Sequence, residues 1–155
     1  METRFIETDF LIIGGGSAGC MAAIRALEIR PDLKLVIFEK SDIAYSGSIA
    51  RGMDALNIVA IPNFTSPELY VEAITEGSAG VVDAKPSHVM AERSFDLLKK
   101  LQRWGVYFPT DKSGNFKTLK YHVKGRFQTA MEEPNLKVMI AKRAREAGSL
   151  VVNRV

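Results

Sequence analysis

Three glycines and one glutamate form the pattern in this chain that most directly implies chemistry. Gly14, Gly16 and Gly19 read G-x-G-x-x-G immediately after the apolar run Phe10–Ile13. In such a motif the first glycine permits a tight turn, the second lets the backbone approach a pyrophosphate, and the third allows close helix–strand packing. Glu39 follows the last glycine by twenty residues. It can accept hydrogen bonds from adenosine ribose hydroxyls, and its charge repels a 2′-phosphate. The spacing predicts a dinucleotide site, for FAD or NAD alike.

The elements that must position these residues form a predicted βαβ unit. A strand is expected over 9–13, a helix over 20–29 and a second strand over 34–38, because two short apolar runs flank the helical segment CMAAIRALEI. Pro31 and Asp32 end the helix. This order predicts an α/β fold, a Rossmann-like domain with a parallel sheet.

The rest of the chain carries weaker signals, and residues 41–63 show no strong periodicity. Ser66 and Pro67 mark the start of a helix that runs to about Glu76 and is stopped by glycines. A second helix is predicted from Pro86–Ser87 to Trp104–Gly105, with an apolar stripe at Met90, Leu97, Leu98, Leu101 and Trp104. A hairpin is predicted to pair 106–108 with 116–121 around the turn 111–115. The last predicted elements are a helix over 135–147, closed by Gly148, and a strand over 150–153.

Length, composition and charge narrow the functional classes. A chain of 155 residues with 46% hydrophobic and 25% charged residues is one ordinary globular domain and excludes wholesale disorder. The net charge of +3 divides into −6 over residues 1–98 and +9 over residues 99–155. The basic part either attracts a small anionic substrate, with Arg126 as a candidate contact, or meets an acidic face elsewhere. No aromatic residues interleave with the cations, so nucleic acid is not a predicted partner.

The chain has one cysteine, two histidines and no targeting signal that we recognise. Cys20 excludes an internal disulfide and suits a reducing compartment, and we interpret it as a packing residue. No secretory segment and no apolar stretch of about 18 residues is present. We therefore expect a cytoplasmic protein without direct membrane insertion. His88 is predicted at the surface and His122 in a polar strand. No metal-ligand spacing appears, so no metal site is predicted.

One segment resembles a known family. The residues from Ser46 to Asn57 read S-G-x-x-A-x-G-x-x-A-x-N. They resemble the flavin-contacting segment of the succinate dehydrogenase and fumarate reductase flavoprotein superfamily, whose H-T-x-x-A-x-G-G carries FAD covalently on the histidine. Ser46 stands at that histidine position, which implies noncovalent FAD. The variant is most similar to the flavoprotein (alpha) subunits of dissimilatory adenylylsulfate reductases, which usually have Gln where this chain has Arg51.

Two further stretches support the resemblance. Residues 101–108, LQRWGVYF, are similar to a helix end and W-G segment found across the superfamily. Residues 125–128, followed by Lys137, resemble the G-R-W-Q…Y-K stretch of the reductase. The family has a glutamate where this chain has Pro134, and here Glu132 and Glu133 stand slightly earlier.

The resemblance implies a site, a domain and a function. The chain 1–155 would be the N-terminal part of an FAD-binding domain, with the capping domain, the C-terminal part and the catalytic residues beyond it. The parent would be an FAD-dependent oxidoreductase that reduces adenylylsulfate to sulfite and AMP with electrons from an iron–sulfur electron-transfer subunit. The implied FAD contacts are Gly14, Gly16, Ser17, Ala18, Gly19, Glu39, Lys40, Ser46, Gly47, Ser48 and Asn57.

Three alternatives remain open at this point. Within the superfamily, the reaction could be fumarate reduction or succinate oxidation. Outside enzymes, a non-catalytic flavin-binding electron-transfer module would share the segment from Gly14 to Glu39 without a substrate pocket. A nicotinamide dehydrogenase is disfavoured by the resemblance over 46–57.

Overall fold

The computed structural model describes residues 3, 5–61, 64–119 and 124–155. The chain divides into two compact units, one made of Met1–Gly52 with Pro134–Val155 and the other of Met53–Glu133. We refer to them as unit 1 and unit 2. The elements in order are β1 (Phe10–Ile13), α1 (Ser17–Ile29), β2 (Leu35–Glu39), a 3-10 turn (Ser48–Arg51), β3 (Ala55–Asn57), α2 (Pro67–Gly77), α3 (Ala84–Arg103), β4 (Thr118–Leu119), β5 (Gln128–Ala130), α4 (Leu136–Glu146) and β6 (Leu150–Asn153).

Unit 1 is built on a parallel sheet with the strand order β1-β2-β6. Phe10 pairs with Leu35 on one side of β2, and Val36 pairs with Leu150 on the other. The central strand β2 is the most buried, as expected of a continuous apolar run in a parallel sheet. This confirms the predicted α/β class and all three predicted parallel strands.

The helices of unit 1 bury small and aliphatic side chains. α1 buries Cys20, Ala23, Ile24 and Leu27. The helix begins at Ser17, three residues earlier than predicted, because Gly16 takes an extended conformation and serves as its N-cap. α4 lies within one residue of the prediction at each end. Its backbone closes at Gly148, whose φ of +110° favours glycine.

Unit 2 combines α2 and α3 with a small antiparallel sheet of order β3-β5-β4. Its core contains Val59, Tyr70, Ala73, Ala91 and Phe127. The Tyr70 and Phe127 rings meet edge to face with centroids 5.3 Å apart. These two aromatic rings form part of the core of unit 2, to which Leu98 and Leu101 of α3 also contribute buried side chains.

The two helices of unit 2 match the prediction unequally. α2 begins at Pro67, and the Ser66 hydroxyl accepts a hydrogen bond from the Leu69 N–H at 3.2 Å, as predicted. α3 begins at Ala84 rather than at Pro86, because Asp83 caps it and accepts from the Lys85 N–H. The predicted apolar stripe is partly wrong.

The stripe fails because a polar residue occupies the buried face of α3. Met90 and Leu97 are 54% and 38% exposed, whereas Ala91 and Ser94 are buried together with Leu98 and Leu101.

The predicted hairpin forms around its turn but not with the predicted strands. The Asp111 N–H donates to the Asn115 carbonyl and the Lys117 N–H to the Pro109 carbonyl, both at 2.8 Å, and Thr110 and Phe116 form an antiparallel bridge. Tyr107 bridges to Glu132 rather than to the predicted partner strand, and β4 pairs with β5. Residues 120 and 121 of the predicted strand lie outside the described residues.

Residues 41–63 contain two short elements that the sequence did not reveal, the 3-10 turn and β3. Elements of three or four residues are too short for periodicity to show. His122 and Tyr121 lie outside the described residues. Among the described helices, none combines the length and the apolar character that crossing a bilayer requires.

Candidate cofactor-binding site

The glycine turn of unit 1 closes tightly between β1 and α1. The Gly14 N–H donates to the Phe38 carbonyl at 2.8 Å. The φ of Gly14 is +101°, in the region of backbone conformation that favours glycine. A Cβ at Gly19 would lie 2.0 Å from the carbonyl oxygen of Gly14. These two glycines therefore let α1 start directly against the end of β1.

The middle of the motif is open. Gly16 is the N-cap of α1, no side chain of the described residues caps the helix there, and its first turn holds no acidic residue. A Cβ built on Gly16 meets no heavy atom of the described structure within 4 Å, apart from its chain neighbours. The N–H groups of the first turn, which includes Ser17 and Ala18, are suited to an anion because helix N-termini carry a partial positive charge.

The Ser46–Ser48 loop lies against this turn. A Cβ on Gly47, whose φ is +83°, would lie 3.2 Å from the Gly16 Cα. The Ser46 hydroxyl is buried and has no hydrogen bond of good geometry within the described residues, although it lies close enough to Glu39 to lower that carboxyl's pKa. Ser48 is exposed and starts the 3-10 turn. The structure thus brings this loop and the glycine motif together.

Glu39, at the end of β2, is 4% exposed and bonded to the backbone through both oxygens. Oε2 accepts from the Gly15 N–H at 2.7 Å, and Oε1 accepts from the Ser41 N–H at 2.9 Å. Burial raises the pKa of this carboxyl, but the two N–H donors, Ser46 and the charge of Lys137 together lower the pKa below its ordinary value. Each oxygen keeps a second lone pair for a further donor.

A cavity of about 340 Å³ opens at the carboxyl ends of β1 and β2. This is the edge at which open α/β sheets bind ligands. The cavity combines apolar walls with one carboxylate and one ammonium group. Its lining residues are Ile13, Gly14, Phe38, Glu39, Lys40 and Val155.

Asn57, the last predicted contact, belongs to unit 2. Its side-chain amide donates to the Tyr70 hydroxyl at 2.7 Å. Both residues line a separate apolar cavity of about 350 Å³, together with Ile74, Phe127 and Gln128. Asn57 therefore lines an apolar cavity of unit 2.

A family model described as "FAD binding domain" matches residues 9–149. The chain belongs to this FAD-binding domain family. The match covers the glycine turn, Glu39, the Ser46–Ser48 loop and the whole of α4.

Curated relatives and a solved structure agree with this membership. The chain is 30% identical over 116 residues to one subunit of the fumarate reductase (CoM/CoB) of Methanothermobacter marburgensis, covering 74% of this chain and 21% of that protein. It is 25% identical over 160 residues to the alpha subunit of the adenylylsulfate reductase of Megalodesulfovibrio gigas, covering 91% of this chain and 24% of that one. The adenylylsulfate reductase structure from Archaeoglobus fulgidus matches with a TM-score of 0.84 at 26% identity, covering 96% of this chain and 24% of that chain.

The chain therefore spans about a quarter of the length of these relatives. The resemblance predicted from Ser46–Asn57, to the flavoproteins of adenylylsulfate reductase and fumarate reductase, is confirmed.

The residues of this FAD-binding domain fit a dinucleotide such as FAD. The uncapped start of α1 suits two phosphates, and the open space at Gly16 admits them close to the backbone. Glu39 has acceptor capacity left for ribose hydroxyls beside a cavity large enough for a ligand moiety.

Two residues of the domain were missed by reasoning from sequence. Lys137 is 2% exposed and contacts the Ile43 carbonyl and the Cys20 thiol, but a lysine in a basic segment gives no sign of burial. Tyr70 was not singled out within its predicted helix, although Asn57 donates to its hydroxyl. Two other predictions fit the structure: Cys20 is buried, and His88 is 38% exposed beside Glu68. Arg126 is exposed and donates to the Thr118 carbonyl, and its role as an anion contact stays a prediction.

Proposed function

We propose that this chain is the N-terminal part of an FAD-dependent oxidoreductase flavoprotein that reduces adenylylsulfate to sulfite and AMP. The observation that supports FAD as the cofactor is the open, uncapped glycine turn beside Glu39. The substrate rests on the likeness to adenylylsulfate reductase, which extends over 91% of the chain in sequence and 96% in structure.

Different segments of unit 1 are proposed to contact different parts of the cofactor. The N–H groups of the first turn of α1, from Ser17 to Gly19, bind the diphosphate, with Gly14 and Gly16 leaving room for it. Glu39 accepts from the adenosine ribose, and Lys40 lines the same cavity. The Ser46–Ser48 loop packs on Gly16 and closes the phosphate side.

We infer that FAD is held noncovalently. A histidyl–flavin bond needs a ring nitrogen, and Ser46 offers only a hydroxyl at the matching position. That hydroxyl is buried next to Glu39, where it contributes to the low pKa of the carboxyl. Asn57, which bonds to Tyr70 in unit 2, is the proposed contact for the flavin ring.

The remaining parts of the proposal concern partners and location. When bound, FAD supplies a two-electron carrier that can also exchange electrons singly. An iron–sulfur subunit is the proposed electron partner, and a small anionic substrate suits the charge of +9 over residues 99–155. We propose a cytoplasmic location, with no nucleic acid among the partners.

A second reaction is favoured by one observation. The fumarate reductase (CoM/CoB) relative is 30% identical, a higher identity than that of the adenylylsulfate reductase relative, although over less of the chain. Fumarate reduction is therefore the alternative, and it would use the same cofactor contacts in unit 1.

The sheet of unit 1 supports the proposal that 1–155 is one part of a larger domain. Among the described residues, β1 pairs with β2 alone, and its outer edge carries Phe10, Leu11 and Ile13 at 44%, 44% and 84% exposure. Apolar parallel strands are normally covered. Further strands of the parent protein are proposed to pair with this edge.

The test is the flavin spectrum of the intact gene product before and after acid precipitation. Flavin released into the supernatant supports a noncovalent FAD enzyme, whereas flavin retained in the pellet contradicts the role of Ser46. Assays with adenylylsulfate and with fumarate then separate the two reactions. A flavoprotein that turns over neither substrate supports the non-catalytic electron-transfer module. A protein without flavin supports a nicotinamide site instead.

A further inference from the structure

Two charged side chains are buried in the described part of the chain, and both belong to unit 1. Glu39 is 4% exposed and Lys137, on α4, is 2% exposed. Burying a charge is costly unless the group is paired or hydrogen-bonded. The partners of Lys137 therefore indicate why a lysine is tolerated there.

Lys137 contacts the loop after β2 and the first turn of α1, which follows the glycine turn. Its Nζ donates to the carbonyl of Ile43, in the loop that follows β2. The same Nζ lies 3.8 Å from the Cys20 Sγ, which donates to the Gly15 carbonyl at 3.1 Å. The Ile43 N–H in turn donates to the Asn153 Oδ1 at 3.1 Å. One cation thus reaches the glycine turn through Cys20 and the second loop directly.

The Gly15 peptide is held at both ends by this arrangement. Its N–H donates to Glu39, and its carbonyl accepts from Cys20 beside Lys137. The Ile43 side chain packs on the same peptide, since a Cβ at Gly15 would lie 2.6 Å from the Ile43 Cγ1. The positive charge of Lys137 also helps to lower the pKa of Glu39. The buried anion therefore acts on Gly15 through its N–H, and the buried cation acts on it through Cys20.

We propose that Lys137 is a positioning residue for nucleotide binding, which holds the Gly15 peptide and the Ile43 loop in place and compensates the charge of Glu39. This inference rests on the proposed function and deepens it. Lys137 does not touch the nucleotide; it keeps the glycine turn open and Glu39 ionised, so that the carboxylate accepts the ribose hydroxyls. A lysine that only filled the core would stabilise the fold without any link to the ionisation of Glu39.

The other titratable groups to consider around Glu39 and Lys137 are the Cys20 thiol and three charged side chains. Burial raises the pKa of Cys20, although Lys137 opposes that rise, so the thiol stays neutral in acid. β1 and β6 contribute no titratable side chain along Phe10–Ile13 and Leu150–Asn153. The charged side chains to consider are Lys40 and Asp42 in the loop after β2 and Arg145 on α4.

The experiment measures FAD affinity of the intact gene product between pH 4 and pH 8 for wild type, Lys137→Met, Glu39→Gln and the double variant. Lys142→Met is the control, because Lys142 lies on the same helix and is 73% exposed. Lys137→Met is expected to weaken FAD binding about tenfold at pH 7, the loss of one charged hydrogen bond. It should also move the acid midpoint of binding to higher pH. Lys142→Met should change neither.

The double variant separates charge compensation from packing. With Glu39→Gln present there is no charge to compensate, so Lys137→Met should cost less affinity than in the wild-type background and should move no midpoint. The loss that remains is that of the hydrogen bond to Ile43. The double variant also removes both buried charges, which keeps the test valid if the single variant does not fold. Lost affinity with an unmoved midpoint, or equal effects of Lys137→Met in both backgrounds, would overturn the proposal.

Thermal melts of wild type, the two single variants and the double variant without ligand distinguish the failure of this inference from that of the proposed function. A wild-type protein that binds no FAD refutes the proposed function. The melts still measure the coupling between Lys137 and Glu39. The proposal requires that the losses of melting temperature in the two single variants do not add up to the loss in the double variant, and that this difference becomes smaller at acid pH. Additive losses of melting temperature refute the inference even where FAD binds.

Discussion

The backbone N–H of Gly15 donates to Glu39 Oε2 at 2.7 Å, so the carboxylate at the end of β2 is part of the glycine turn itself. The motif and the acid at the end of the next strand are usually described as two contacts to a ligand. Here they are also bonded to each other. A change at Glu39 therefore alters the shape of the turn as well as its charge.

The first prediction concerns the pH dependence that this bond confers. The pKa of Glu39 is lowered from its ordinary value of 4.5, so its contribution to stability is present above that value and is lost as pH falls through the lower, folded value. Glu39→Gln should reduce the free energy of unfolding by about 1–3 kcal/mol at pH 7. Urea denaturation at pH 7, 5 and 3.5 should show the difference from wild type shrinking towards acid. A difference that stays constant with pH would contradict this account.

Replacing two glycines of the same motif by alanine should affect the stability of the fold to different degrees. Gly19→Ala places a methyl group 2.0 Å from the Gly14 carbonyl oxygen and should cost about 1–3 kcal/mol through overpacking. Gly16→Ala meets open space at a φ of −62° and should leave the melting temperature nearly unchanged. If the space at Gly16 holds a diphosphate, the same variant should weaken FAD binding. Equal melting temperatures for the two variants would refute the described packing.

Ser94 should be far more important to unit 2 than its polarity suggests. Its hydroxyl accepts from the Val59 N–H at 2.8 Å in a buried position. Ser94→Ala leaves that N–H without a partner and should cost about 1–3 kcal/mol. The matched control is Ser87→Ala on the same helix, where the hydroxyl is at the surface and bonds to the Asp83 carbonyl. Chemical denaturation of both variants should separate them clearly.

The turn between α1 and β2 offers a test by titration. Arg30 binds both carboxylate oxygens of Asp32, at 2.9 and 2.7 Å, and lowers the pKa of that carboxyl to about 2. Arg30→Gln should return the Asp32 pKa towards 3.8 without a notable change in melting temperature, because both side chains are exposed. Carboxyl NMR titration of the 155-residue chain measures this shift, and high salt should reduce it in the wild type only.

The exposed edge of β1 leads to a prediction for the chain in isolation. If other strands of the parent complete the sheet, residues 1–155 alone should hold FAD weakly or not at all, since part of the site and its cover are missing. Purified chain should lose its yellow colour on gel filtration. Stoichiometric FAD retained by the isolated chain would contradict the proposal that it is one part of the domain.

The βαβ unit was predictable because its signals are local. An apolar run, three glycines, a helical segment and a second apolar run each specify their own structure, and the parallel sheet follows from their order. The N-cap at Ser66 was equally visible, since a serine before a proline has one clear meaning at a helix start. These features needed no knowledge of distant contacts.

The features that were not predictable depend on residues far apart in sequence. The strand Thr118–Leu119 pairs with Gln128–Ala130, and that choice over the nearer hairpin partner is not written in either segment. Burial of Ser94 depends on the Val59 backbone, 35 residues away. Burial of Lys137 likewise depends on the Ile43 carbonyl, 94 residues away. Composition alone places both polar side chains at the surface.

The interruption of unit 1 by Met53–Glu133 sets an order of events during protein synthesis. β1, α1 and β2 leave the ribosome early, but β6 and Lys137 follow only after all of unit 2 has been made. The helices of unit 2 can form from local contacts in that interval, whereas the glycine turn waits for a partner 94 residues beyond its neighbouring loop. In a nascent chain the contacts around the glycine turn are therefore completed only late in translation of this segment.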